Sequence, residues 1–157
     1  MTTNYLQMMI DSLKKKKDIL TRIIALNEEQ DKILSKPELD DNAFDANMKA
    51  KGDCIDGLDR LDEGFQSLFN RVRDAINANK EMYANEISVM KRLITEVTEL
   101  GAKIEVQEAR NKVKVEAMFR RERQEHKEAK RSASMAKSYY QNMSKMSNES
   151  QFMDAKQ

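Results

Sequence analysis

The 157-residue sequence contains one cysteine, one proline, four glycines and no tryptophan. A single Cys54 excludes an intrachain disulfide, and so little proline and glycine leaves few turns for an all-β or α/β domain. No run approaches the roughly 20 apolar residues of a membrane-spanning helix, and no apolar stretch follows a basic start as in a secretory signal. We therefore expect an all-α, reduced, cytoplasmic protein that is not inserted in a membrane.

Charge is balanced overall but unevenly distributed along the chain. The sequence has 28 Lys and Arg against 27 Asp and Glu. Residues 28–65 carry 12 acidic and 5 basic side chains, whereas residues 110–157 carry 12 basic and 6 acidic ones. Leu, Ile, Val and Phe supply only 32 of the 157 residues, which predicts a thin core. The low net charge nevertheless favours folding over disorder.

Helical periodicity predicts three long helices, over about residues 4–35, 41–76 and 82–143. The first carries an apolar stripe broad enough to pack against two neighbours. The stripe consists of Leu6, Ile10, Leu13, Ile19, Leu20, Ile23, Ile24, Leu26, Ile33 and Leu34. Pro37 ends this helix, and Asp40 begins a group of side chains that can cap the next one. A polar stretch around Lys80 indicates a turn within 77–85, the alternative being one unbroken helix.

The second helix has apolar residues at alternating steps of three and four. This predicted seam contains Phe44, Met48, Ile55, Leu58, Phe65, Phe69, Val72 and Ile76. Lys51 and Asp62 interrupt it, and polar residues in such a seam usually set the register between helices. Gly57 and Gly64 share a face, which indicates either close packing of a neighbouring helix or simple local tolerance.

The third helix is too long for the first two to cover. Its roughly 60 residues span about 90 Å, and the first two helices reach only its first half. We therefore predict an elongated antiparallel three-helix bundle or coiled coil whose C-terminal helix projects beyond the body. The helical domain is expected over 1–145, with its intrachain core ending near residue 114 and a disordered tail over 146–157.

The uncovered part of the third helix carries the candidate partner-binding surface. Its stripe consists of Val115, Met118, Phe119, Ala129, Ala133, Ala136, Tyr140 and Met143. Small residues let another helix approach closely, and Met and Tyr adapt to varied surfaces. An amphipathic helix of another protein could bury its apolar face on this stripe.

Other chemistry has little support in the sequence. His126 is the only histidine, Cys54 reads as a small half-buried residue, and no phosphate-binding or hydrolase motif is present. We expect no catalytic residue, metal or cofactor. The basic run beginning at Arg120 is interleaved with glutamates at helical spacing, which favours an exposed helix over a nucleic-acid site.

Several segments together carry a family resemblance over about residues 6–145. They are LNEEQDKIL (26–34), LDRLDEGFQSLFNRV (58–72), NKEMYANEI (79–87), VTELGAKIEVQEARNKV (97–113) and SYYQNM (138–143). In this order they resemble the FlgN-type flagellar export chaperones. Tyr139 and Tyr140 match the aromatic end of that family, which adds Tyr139 to the predicted partner-binding residues.

The resemblance implies a cytoplasmic, non-enzymatic chaperone without a cofactor. Such a protein binds the C-terminal helical segment of hook-associated (hook-filament junction) proteins and prevents their premature assembly. It then delivers them to an export gate component of the flagellar type III apparatus. We expect a monomer or weak homodimer. The alternative hypotheses are a structural coiled-coil protein that self-associates through its C-terminal helix and, third, a small helical enzyme or nucleic-acid binder.

Overall fold

The computed structural model describes the backbone of residues 1–156 and the side chains of residues 1–139 and 141. Three α-helices follow in order: α1 (Thr2–Leu34), α2 (Asp41–Ala78) and α3 (Ala84–Lys156). The predicted all-α three-helix bundle is confirmed. The chain divides into two units, residues 1–114, which we call the body, and residues 115–157, which we call the C-terminal unit. The predicted tail over 146–157 lies outside the described side chains.

The first connection follows from local chain chemistry. Helix α1 ends at Leu34, shortly before Pro37, which disfavours helical geometry at Lys36. Asp40 is the N-cap of α2, where its carboxylate accepts a hydrogen bond from the amide of Ala43 at 3.1 Å. This side chain satisfies one of the amide groups that a helix start leaves unpaired.

The second connection is a turn, so the alternative of one unbroken helix is wrong. Helix α2 ends at Ala78 and α3 begins at Ala84. Asn79 leaves helical geometry with φ −135° and ψ 45°, and its amide donates to the carbonyl of Ile76 at 3.2 Å. Tyr83 lies in the turn and is buried, so the connection is held against the core.

Helix α1 supplies most of the core, which forms two clusters. The first joins the beginning of α1 with the end of α2 and the beginning of α3; its buried members are Leu6, Met9, Ile10, Leu13, Val72, Tyr83, Met90 and Leu93. The second joins Leu20, Ile23 and Leu26 to Cys54. The clusters place α2 antiparallel to α1 and α3 parallel to it. Each fully buried large side chain contributes roughly 1.5–3 kcal/mol to folding.

Helix α2 turns part of the predicted seam towards the core: Phe44 and Val72 are buried, and Leu58, Phe65 and Ile76 are half-buried. Its buried and half-buried positions recur as Phe44, Asn47, Lys51, Cys54, Leu58, Leu61, Phe65, Leu68 and Val72. Three residues of the predicted seam are largely exposed, namely Met48 at 46%, Ile55 at 51% and Phe69 at 36%. The prediction was wrong here because it placed apolar side chains inward wherever spacing allowed. In the places of these three residues, the folded chain turns Asn47, Cys54 and Leu68 inward.

Buried polar side chains of α1, α2 and α3 form a layer that joins the three helices. The Gln30 amide donates to Asn47 Oδ1 at 3.2 Å, and the Asn111 amide donates to Gln30 Oε1 at 3.1 Å. Lys51 is buried and forms an ion pair with Glu108 at 2.7 Å. A buried polar group left unpaired costs about 1–3 kcal/mol, so a shift of any helix along its axis is penalised. Lys51 therefore occupies the polar seam position predicted for it.

Two other predictions for α2 concern the seam position of Asp62 and close helix packing at Gly57 and Gly64. Asp62 is exposed and pairs with Lys16 at 2.7 Å, so it lies outside the seam. A Cβ atom added to Gly57 would lie 3.2 Å from Ile19 Cδ1, whereas one added to Gly64 would meet open space. Close helix packing therefore occurs at Gly57 and not at Gly64.

Candidate functional site

The predicted partner-binding surface lies on α3, in the C-terminal unit. Side chains are described for seven of its nine residues: Val115, Met118, Phe119, Ala129, Ala133, Ala136 and Tyr139. Tyr140 and Met143 lie outside the described side chains. All described residues of this surface thus lie on one helix, and the angle between any two of them follows from their separation in the sequence.

Exposure changes sharply at the beginning of this surface. Val115 is half-buried and Met118 is only 4% exposed, whereas Phe119 is 43% exposed. Every described side chain after Met118 is exposed. The burial of Met118 removes it from the accessible surface, so we assign it to packing instead of partner binding.

The exposed apolar side chains spread over more than the predicted stripe. At about 100° per residue, Phe119, Ala129 and Ala133 share one face of α3, and Tyr139 lies well to its side. Met135 lies four residues before Tyr139, on the same side of the helix. These two side chains are 67% and 60% exposed. Met135 was not predicted because it lies off the single predicted stripe; its i, i+4 spacing from Tyr139 was the available signal.

Charged side chains surround the beginning of the surface. Phe119 borders a shallow hollow that is also lined by Glu116, Arg120, Glu122, Arg123 and His126. Arg120 Nε donates to the Glu116 carbonyl at 3.4 Å, which holds its guanidinium along the helix. Residues 115–139 contain seven basic and four acidic side chains, a net charge of +3. The surface therefore has small apolar side chains along its centre and a net positive charge in the residues around them.

Other groups that could carry chemistry are few. His126 is exposed on α3, and Cys54 is a free, buried thiol in α2. Within the described residues, no group of three or more His, Cys, Asp or Glu side chains could hold a metal ion. The same residues include no helix with the length and hydropathy of a membrane span.

No protein-family model, curated protein or solved structure matches this chain.

Proposed function

We propose that this protein is a helix-binding export chaperone and that residues 115–143 of α3 are its cargo site. The cargo would be the C-terminal helical segment of hook-associated flagellar proteins, which the FlgN-type resemblance implies. The observation that carries the proposal is the exposure of α3 after Met118, with Phe119, Met135 and Tyr139 presenting large apolar surfaces.

The chemistry of this surface suits an amphipathic helix. Ala129, Ala133 and Ala136 are exposed and have small side chains, so a second helix could lie close to the α3 backbone. The larger side chain of Phe119 shares this face and would contact the bound helix at one end. Complete burial of such a side chain contributes about 1.5–3 kcal/mol, and partial burial of a few would give the moderate affinity that a released cargo needs.

Basic residues around the apolar surface would select and attract the cargo. The net charge of +3 over residues 115–139 favours a partner with acidic flanks and speeds its encounter. Binding would cover the apolar face through which the cargo segment otherwise assembles. The chaperone would keep the subunit unassembled in the cytoplasm and pass it to the export gate, without a catalytic step or cofactor.

A pull-down with purified hook-filament junction proteins tests this proposal. We expect the full chain to retain them and a chain lacking residues 115–157 to lose them. Circular dichroism of the shortened chain checks that the body remains helical. Phe119→Ala with Tyr139→Ala should weaken binding in the full-length protein, and Ile55→Ala, an exposed apolar position in the body, is the matched control.

Three outcomes would contradict the proposal. Retention of cargo by the shortened chain would place the site elsewhere, and failure of the full chain to bind any junction protein would remove the chaperone function. A stable dimer without cargo in sedimentation equilibrium would favour the structural coiled-coil alternative, in which the exposed face of α3 pairs with a second copy.

A further inference from the structure

The body carries a second apolar surface, a groove between α2 and α3 that the proposed cargo site does not include. Its floor is formed by Met9 of α1 and Met90 of α3, which are 1% and 7% exposed. Its volume is about 380 Å³. We call it the α2/α3 groove.

The walls of the groove are apolar and partly exposed. Phe69 of α2 is 36% exposed and Ile94 of α3 is 46% exposed. Phe65, Ile76 and Ile87 are half-buried and continue the walls. From Phe65 to Ile76 the groove follows α2 for about 16 Å, or three helical turns. This length and apolar lining match one face of a short amphipathic helix.

The lysines at the rim of the groove differ in ion pairing from the lysines at the other helix junctions of the body. Elsewhere, lysines pair with carboxylates of a neighbouring helix: Lys16 with Asp62, Lys17 with Glu96, Lys51 with Glu108 and Lys114 with Asp31. The groove is bordered by Lys80 and Lys91, both exposed. Among the described residues, neither of these two lysines has a carboxylate within ion-pair distance.

We propose that the α2/α3 groove binds an amphipathic helix of another protein, about three turns long and flanked by Asp or Glu. The apolar face of that helix would cover Phe69 and Ile94, and its carboxylates would pair with Lys80 and Lys91. These contacts would repeat the pattern at the other helix junctions, in which an apolar seam is bordered by lysine–carboxylate pairs. The bound helix would become the fourth helix of the body.

Fluorescence anisotropy with two labelled synthetic peptides tests the proposal on the full chain. Both peptides are about 14 residues long with Leu at i, i+3/i+4 and i+7 spacing, one flanked by Glu and the other by Lys. We expect the Glu-flanked peptide to bind about tenfold more tightly than the Lys-flanked one. Lys80→Glu with Lys91→Glu should reverse this preference.

Substitutions in the walls locate the binding site. Phe69→Ala with Ile94→Ala should weaken binding of the Glu-flanked peptide at least about tenfold, since two exposed anchors are removed. Ile55→Ala removes an apolar side chain of α2 that lies outside the groove and is 51% exposed, and it should leave binding unchanged. Both side chains of the wall variant are partly exposed, and thermal unfolding followed by circular dichroism verifies that the variant folds.

Several results would overturn the proposal. They are absence of binding by either peptide, equal affinity for both, or an equal loss with Ile55→Ala. Loss with Phe119→Ala but not with the wall variant would place the peptide on the C-terminal unit. Self-association that disappears in the wall variant would identify a second copy of this chain as the occupant instead.

Discussion

In the body, most large apolar side chains of α1 are buried, and four lysines pair with carboxylates of a neighbouring helix. In the C-terminal unit, every described side chain after Met118 is exposed, including Phe119, Met135 and Tyr139. Both regions are helical, so secondary structure does not distinguish them. The difference teaches that the buried apolar contacts lie almost entirely in the body, whereas the large apolar side chains described beyond Met118 are exposed.

The strongest test of this division is a pair of truncations of large apolar side chains. Leu6→Ala should lower the free energy of unfolding by about 2–5 kcal/mol, because Leu6 is completely buried in the first core cluster. Met135→Ala, at an exposed position, should change it by less than about 0.5 kcal/mol. Urea unfolding followed by circular dichroism measures both. Similar losses in the two variants would show that the C-terminal unit contributes to global stability.

The buried polar layer gives the next largest effect within the body. Gln30→Ala should cost about 1–3 kcal/mol for each buried partner left unpaired, and Asn47 and Asn111 both bond to Gln30. Gln66→Ala is the control, because the Gln66 side chain bonds to the nearby Asn70 on an exposed helix surface. Urea midpoints that coincide for the two variants would contradict the role of this layer in holding the helices in register.

Glycine substitutions sharpen the comparison between packed and open positions on one helix. Gly64→Ala should stabilise the protein by about 0.5–1 kcal/mol, because its added Cβ meets open space and alanine favours helix. Gly57→Ala should gain less or lose stability, since its Cβ must displace Ile19. Thermal unfolding of both variants provides the measurement, and equal stabilisation would show that Ile19 moves aside without cost.

The smallest effect is the pH dependence of one ion pair. Lys17 Nζ donates to Glu96 Oε2 at 2.9 Å, and this hydrogen bond is the main reason that the pKa of Glu96 lies below its ordinary value of 4.5. A carboxyl group with a lowered folded-state pKa stabilises the fold above its unfolded pKa and loses that contribution as pH falls through the folded pKa.

We therefore expect Glu96→Gln to destabilise the protein slightly at pH 7 and to match the wild type in acid. The difference should shrink as the pH falls below 4.5 and vanish below the folded pKa of Glu96. Urea midpoints across this range measure it. In a Lys17→Met background the substitution should have little pH-dependent effect, and a persistent difference there would assign the stabilisation to another group.

Part of the fold could be predicted because a local pattern was sufficient. The α1 stripe contains so many aliphatic residues that almost any helical packing buries it, and its members lie in the core, with Ile19 half-buried. The seam of α2 could not be predicted in this way. Met48 has suitable spacing, but its neighbour Asn47 is buried instead, because it accepts a hydrogen bond from Gln30 and donates one to the Leu26 carbonyl.

The residues of the candidate site also divide into those that the sequence could predict and those that it could not. The predicted face of α3 contains the exposed Phe119, Ala129 and Ala133, whose spacing is visible in the sequence. Met118 has the same spacing and is nevertheless buried, and the exposed Met135 lies off that face. The exposure of a side chain depends on its neighbours in three dimensions. Helical periodicity predicts only the direction in which the side chain leaves the helix axis.

The sequence by itself determined the helical class of this protein, because scarce proline and glycine and long apolar periodicities exclude most other folds. It also determined the division between an acidic middle and a basic C-terminal third. Only the tertiary structure decided which side chains of α2 face the core, that three helices share a buried polar layer, and that an apolar groove remains open between α2 and α3. Those properties depend on contacts between residues far apart in the chain, which no single helical pattern contains.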